Sequence, residues 1–132
     1  MSEAPAPTFY DEIGGMPTIK KVVDRFYAGV AQDTLLRPMY PAEDLVDGSA
    51  AARLTLFLAQ YWGGPTTYSD ERGHPRLRMR HATFAVTPTA RDRWLEHFRA
   101  GLDEVALAPE QDAQFWAYVE HAAQFMINTL EG

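Results

Sequence analysis

The chain has 132 residues, of which 46% are apolar, 12% are aromatic and none is cysteine, and its formal charge at pH 7 is −6. That length suits one domain around one core, and the apolar share excludes a disordered chain. The lack of cysteine excludes a disulfide framework, a thiolate-held iron–sulfur cluster, a zinc finger and a thiol nucleophile, while the acidic balance argues against nucleic acid or an anionic membrane as a generic partner.

Residues 1–8 read as a Pro/Ala tail with neither the basic nor the apolar region of a secretory signal. No run approaches the roughly 20 apolar residues of a membrane span. The expectation is a cytoplasmic protein with a flexible tail over 1–8 and a single domain over 9–132. Phe9–Ile13 forms a short amphipathic turn stopped by Gly14-Gly15. Pro17 suits a first helical turn, and Ile19, Val22, Val23, Phe26, Tyr27 and Val30 then follow the helical apolar period. Tyr27 falls on that apolar face, so its hydroxyl is expected to point inward. Pro41 holds Tyr40 extended, residues 42–49 read as an acidic loop, and Ser49 is a candidate N-cap. Ala50, Leu54, Phe57, Leu58 and Tyr61 stripe the next helix, which Gly63-Gly64-Pro65 ends.

Residues 63–87 are the least regular stretch, unusually long for a connection inside a compact domain. Thr87-Pro88 is an N-cap with proline behind it, opening a helix carried by Trp94, Phe98, Leu102 and Val105. Ala108-Pro109 restarts the chain, and Phe115, Val119, Ala122, Met126 and Leu130 stripe the last helix. No hairpin signal occurs. The chain reads as all-α, with four substantial helices and two or three short ones.

Nucleophile elbows, phosphate loops, dinucleotide fingerprints and two-histidine zinc helices are all absent. Of the four histidines, His97 is expected on a solvated helix face near Arg93, His121 half-buried in packing, and His74 at a cap or surface. His81 shares an apolar face with Leu77 and Phe84, where its bland reading is a satisfied core imidazole. Beside it, Arg72, Arg76, Arg78 and Arg80 place four of the 12 basic residues within nine positions. Such a run is either a solvated basic face or a set of fixed guanidinium groups for an anion. An apolar-facing histidine next to arginines suits a haem, with imidazole on the iron and guanidinium on the propionates. Tyr27, Tyr40 and Trp94 each offer one donor on or near an interior face; they are either core aromatics bonded to carbonyls or donors to a ligand over the iron.

Phe9-Tyr-Asp-Glu-Ile-Gly-Gly15, Arg25-Phe-Tyr27, Tyr40-Pro41, Gln60-Tyr-Trp-Gly-Gly-Pro65, Arg72-Gly-His-Pro-Arg-Leu-Arg-Met-Arg-His81 and Arg91-Asp-Arg-Trp94 resemble the group II truncated haemoglobins over about residues 8–128. The resemblance implies a 2-on-2 helical sandwich around haem b. It makes His81 the proximal iron ligand and Tyr27, Tyr40 and Trp94 the polar distal residues. It places Leu54 and Phe57 against the haem, and Leu77, Phe84 and Val86 on the proximal side. Arg53 and Arg80 match propionate partners, with Tyr68 a further candidate contact. Ala50 falls where longer globins often place a distal histidine.

The function expected is reversible binding of O2 and other diatomic ligands, NO and CO among them. The alternative is a haem enzyme on the same pocket, a peroxidase or NO dioxygenase served by a reductase. A third class is a haem-free helical module whose arginine cluster grips an acidic partner, and a homodimer remains an open assembly.

Overall fold

The computed structural model describes residues 7–72 and 86–127, and every regular element among them is helical. Thr8 caps α1 (Phe9–Glu12) through a reciprocal box: its hydroxyl accepts from the Asp11 N–H at 3.2 Å, and the Asp11 carboxylate accepts from the Thr8 N–H at 3.2 Å. The predicted stripe forms α2 (Met16–Ala31), burying Ile19, Val22, Val23, Phe26 and Val30. A 3-10 turn over Arg37–Met39 leads to Tyr40, extended as expected at φ −125° and ψ 144°.

Two segments differ from what the sequence leads one to expect. The acidic segment predicted as a loop contains α3 (Ala42–Val46), whose first turn carries Glu43 and Asp44 where the helix dipole favours negative charge. Ser49 is not a cap. Gly48, left-handed at φ 81°, caps α4 (Ser49–Tyr61), and the Asp47 carboxylate accepts the Ser49 N–H at 2.8 Å. The irregular connector holds a short α5 (Thr67–Arg72). Thr87 caps α6 (Pro88–Val105) by accepting the Ala90 N–H at 3.2 Å, as its spacing predicts. Pro109 opens α7 (Pro109–Phe125).

The long helices pack as two pairs. α2 lies on α6 and on α4, and α6 lies on α7. Close approach of α2 to α6 depends on two glycines. A Cβ on Gly101 would stand 2.5 Å from the Val22 carbonyl oxygen and 3.1 Å from Val22 Cγ1. A Cβ on Gly29 would run into the His97 ring. Gly101→Ala would gain about 1 kcal/mol of helix propensity. The carbonyl it meets belongs to the α2 backbone and cannot rotate aside, so the helices must part, at a cost of about 1–3 kcal/mol. We expect a net loss of stability and a lower urea midpoint at unchanged slope; an unchanged or higher midpoint would mean that the helix pair adjusts freely.

Candidate functional site

The packed pairs leave a cleft with about 660 Å³ of free space, open mouth included. Its walls come from α2 (Phe26, Tyr27), α4 (Leu54, Phe57, Leu58), α6 (Trp94, Leu95, Phe98) and α7 (Tyr118, Val119, Ala122, Ala123), with Tyr40 and Met126 added from the adjoining segments. None of these side chains is charged. The polar atoms they carry are three hydroxyls and one indole N–H.

Three of those polar groups converge. The Tyr27 and Tyr40 rings meet edge to face, with centroids 5.6 Å apart. Trp94 lines the same cavity, so its indole side chain stands with the two phenols on the wall. Burial pushes the Tyr27 phenol up to about 12. Tyr40 is held well above its ordinary value, first by burial and then by the neighbouring Tyr27. Desolvation penalises the phenolate, so both stay protonated at neutral pH and keep an O–H to donate. Tyr118, in the α7 wall, is also pushed up by burial; its ring lies against exposed Tyr61, centroids 4.1 Å apart.

A second polar cluster, absent from the cavity lining, joins α6 to the segment after α2. The Asp33 side chain is only 2% exposed and forms a fork with Arg93, to Nε at 2.9 Å and Nη2 at 3.1 Å. His97 Nε2 approaches the same carboxylate at 2.9 Å. Arg93 is the main reason that the Asp33 carboxyl is held well below the usual range. His97 is therefore not the solvated residue expected from its helix face. His121, expected half-buried, is exposed on α7.

The predicted site residues distribute unevenly. Tyr27, Tyr40, Leu54, Phe57 and Trp94 line one cavity together. Tyr68 is buried beside it, edge-on to Phe57 with centroids 5.5 Å apart, and Val86 is fully buried in the core. Arg53 donates to the Asp44 carboxylate at 2.8 Å, so its guanidinium already has a partner on α3. Ala50 is buried at the start of α4. Leu77, Arg80, His81 and Phe84 fall outside the described residues, as do His74, Arg76 and Arg78. Tyr118 and Leu95 were not singled out from the sequence. The stripe of Val119, Ala122 and Met126 pointed to that face of α7, but only as core.

A flat, largely hydrocarbon macrocycle needs an uncharged slot with a few donors on one wall. The described walls meet that demand, so the residues present fit a haem. A family model, bacterial-like globin, matches residues 8–128. Group 2 truncated hemoglobin YjbI of Bacillus subtilis is 38% identical over 122 residues, covering 92% of this chain and 89% of that protein. The chain is a truncated haemoglobin of group II. Its likeness extends to solved structures. A thermostable hemoglobin from Thermobifida fusca is 54% identical at a TM-score of 0.88, covering 92% of this chain and 98% of that one. A truncated oxygen-avid haemoglobin from Bacillus subtilis is 35% identical at a TM-score of 0.84, covering 92% and 100%. The two helix pairs are thus the 2-on-2 globin sandwich that the resemblance implies. The cofactor of this globin is haem, and the protein binds oxygen. No helix among the described residues is long and apolar enough to cross a membrane.

Proposed function

We propose that this globin binds O2, NO and CO reversibly against a distal wall of Tyr27, Tyr40 and Trp94, with His81 as the proximal iron ligand. The observation that carries the distal half is the meeting of three uncharged donors in one apolar cavity. The proximal half rests on the run Gly73-His-Pro-Arg-Leu-Arg-Met-Arg-His81 and its likeness to the family pattern. Haem supplies an iron with a free position for a diatomic ligand. Leu54 and Phe57 would lie against the macrocycle, with Tyr68 at its margin and Leu77, Phe84 and Val86 on the proximal side. Arg80 is the main candidate for a propionate. Arg53 can serve there only by sharing or leaving Asp44.

The protein's own part is to exclude water and to point O–H and N–H donors at the polar end of the ligand. Because both phenols stay protonated, this donor set does not change through the physiological range. The Bacillus subtilis neighbour described as oxygen-avid supports a tight-binding reading over one of rapid release. A hydrogen bond to a charged acceptor contributes about 1.5–3 kcal/mol, so Trp94→Phe should speed O2 dissociation roughly ten- to a hundred-fold. Stopped-flow replacement of O2 by CO reads that rate; a variant as slow as the parent would remove Trp94 from the distal wall.

A second reading, peroxide or NO turnover, is favoured by the oxidisable rings at the site. Tyr118 lines the cavity and rests on exposed Tyr61. Peroxide turnover with an electron donor at no more than the level of free haemin would dismiss its peroxidase form.

A further inference from the structure

We propose that Asp33 is a positioning residue for ligand binding: it holds Trp94 and Tyr40 in place on the wall of the cavity they share. The inference rests on the distal-wall reading. Tyr40 and Trp94 come from elements far apart in the chain, a loop and the middle of α6. Helix packing alone leaves such a pair free to slide by fractions of an ångström, and a displacement near 1 Å is enough to lose a functional contact.

Asp33 grips both elements. Toward α6, its carboxylate takes the Arg93 fork and His97 Nε2. Those two residues are one helical turn apart and bracket Trp94, so the pair sets the rotation of α6 about its axis. An ionised carboxylate only accepts, so His97 carries a proton on Nε2. Its other face meets Gly29 on α2, where no side chain stands in the way. Toward the loop, Asp33 Oδ1 accepts the N–H groups of Leu35 at 2.9 Å and Leu36 at 3.2 Å, and its carbonyl accepts that of Arg37 at 2.8 Å. Leu36 is fully buried, and Arg37 opens the 3-10 turn from which Tyr40 departs. One residue thus fixes the start of the segment that delivers Tyr40 and the roll of the helix that delivers Trp94. Asp33 itself is absent from the cavity lining.

Asp33→Asn keeps the shape and an acceptor for the loop N–H groups but removes the charge that holds Arg93. Arg99→Gln serves as a control that loosens α6 elsewhere: Arg99 bonds Asp103 and Asp112 and lies over Trp116. Three readouts are taken on the haem-loaded globin: the C–O stretching band and the Trp94 indole N–H resonance in the CO form, and the O2 dissociation rate. In Asp33→Asn the band should shift or split, the resonance should move, and O2 should leave about tenfold faster. In Arg99→Gln all three should stay at parent values, whatever the loss of thermal stability. Parent-like band, resonance and rate in Asp33→Asn would reduce Asp33 to a stabilising residue and overturn the inference. If Trp94→Phe and Tyr40→Phe both leave the O2 rate unchanged, the distal-wall reading fails and takes this one with it. If those variants move the rate and Asp33→Asn does not, the positioning role alone fails.

Discussion

Replacing His81 by alanine should give a chain that folds but no longer retains haem. A single imidazole–iron bond is the link that apolar packing cannot replace. The structure narrows the choice of ligand from the other side. His97 is engaged with the Asp33 carboxylate, His121 is exposed on α7, and neither belongs to the cavity wall. The remaining imidazoles are His74 and His81, and the resemblance read from the sequence makes His81 the proposed ligand. Loading with hemin followed by gel filtration and a visible spectrum reads the result. The parent should keep its Soret band and the variant should lose it. Full retention in the variant would show that a different side chain holds the iron.

Asp33→Ala should produce the largest change in stability. The buried carboxylate bonds Arg93, His97 and the Leu35 and Leu36 N–H groups. Hydrogen bonds to a charged group contribute about 1.5–3 kcal/mol, and the upper end applies because several are lost together, although Arg93, 43% exposed, can turn to water. A loss of about 3 kcal/mol in a domain of this size lowers Tm by roughly 10 °C. The pH dependence has a definite sign. The folded carboxyl is held below its ordinary value, mainly by Arg93. Its contribution is therefore complete above the unfolded-state value near 4 and disappears as pH falls through the lower folded-state value. Parent and variant should differ most near neutrality and converge in acid. Thermal melts from pH 7 down to pH 3 measure this; a constant gap across that range would mean that the ionised carboxylate is not what stabilises the fold.

The sequence made the long helices legible because each carries an apolar stripe and a chemical stop. Ile19 to Val30, Leu54 to Leu58 and Trp94 to Leu102 face the interior as their spacing predicts, and Thr87 and Pro109 open their helices where caps and prolines belong. Of the four polar cavity residues, Tyr27, Tyr40 and Trp94 were also legible, two from their interior faces and all three from the family pattern, whereas Tyr118 was not. What escaped depends on contacts between distant segments. Arg93 and His97 lie 60 and 64 residues from Asp33, so helix periodicity alone placed them on a solvated side. Arg53 looked free for a propionate because α3, which supplies its Asp44 partner, read as an acidic loop. The one local hint of the Asp33 cluster was a glycine inside α2, a residue that helices tolerate at a cost and that marks close approach.

That glycine has an evolutionary consequence. Gly29 and His97 occupy the same small volume from opposite helices, so the two positions cannot drift independently. A side chain gained at 29 evicts the imidazole, and a smaller residue at 97 frees 29 to acquire a methyl. Descendants of this chain should therefore change at both sites together or at neither, a pairwise signature that sequence statistics across the lineage can look for.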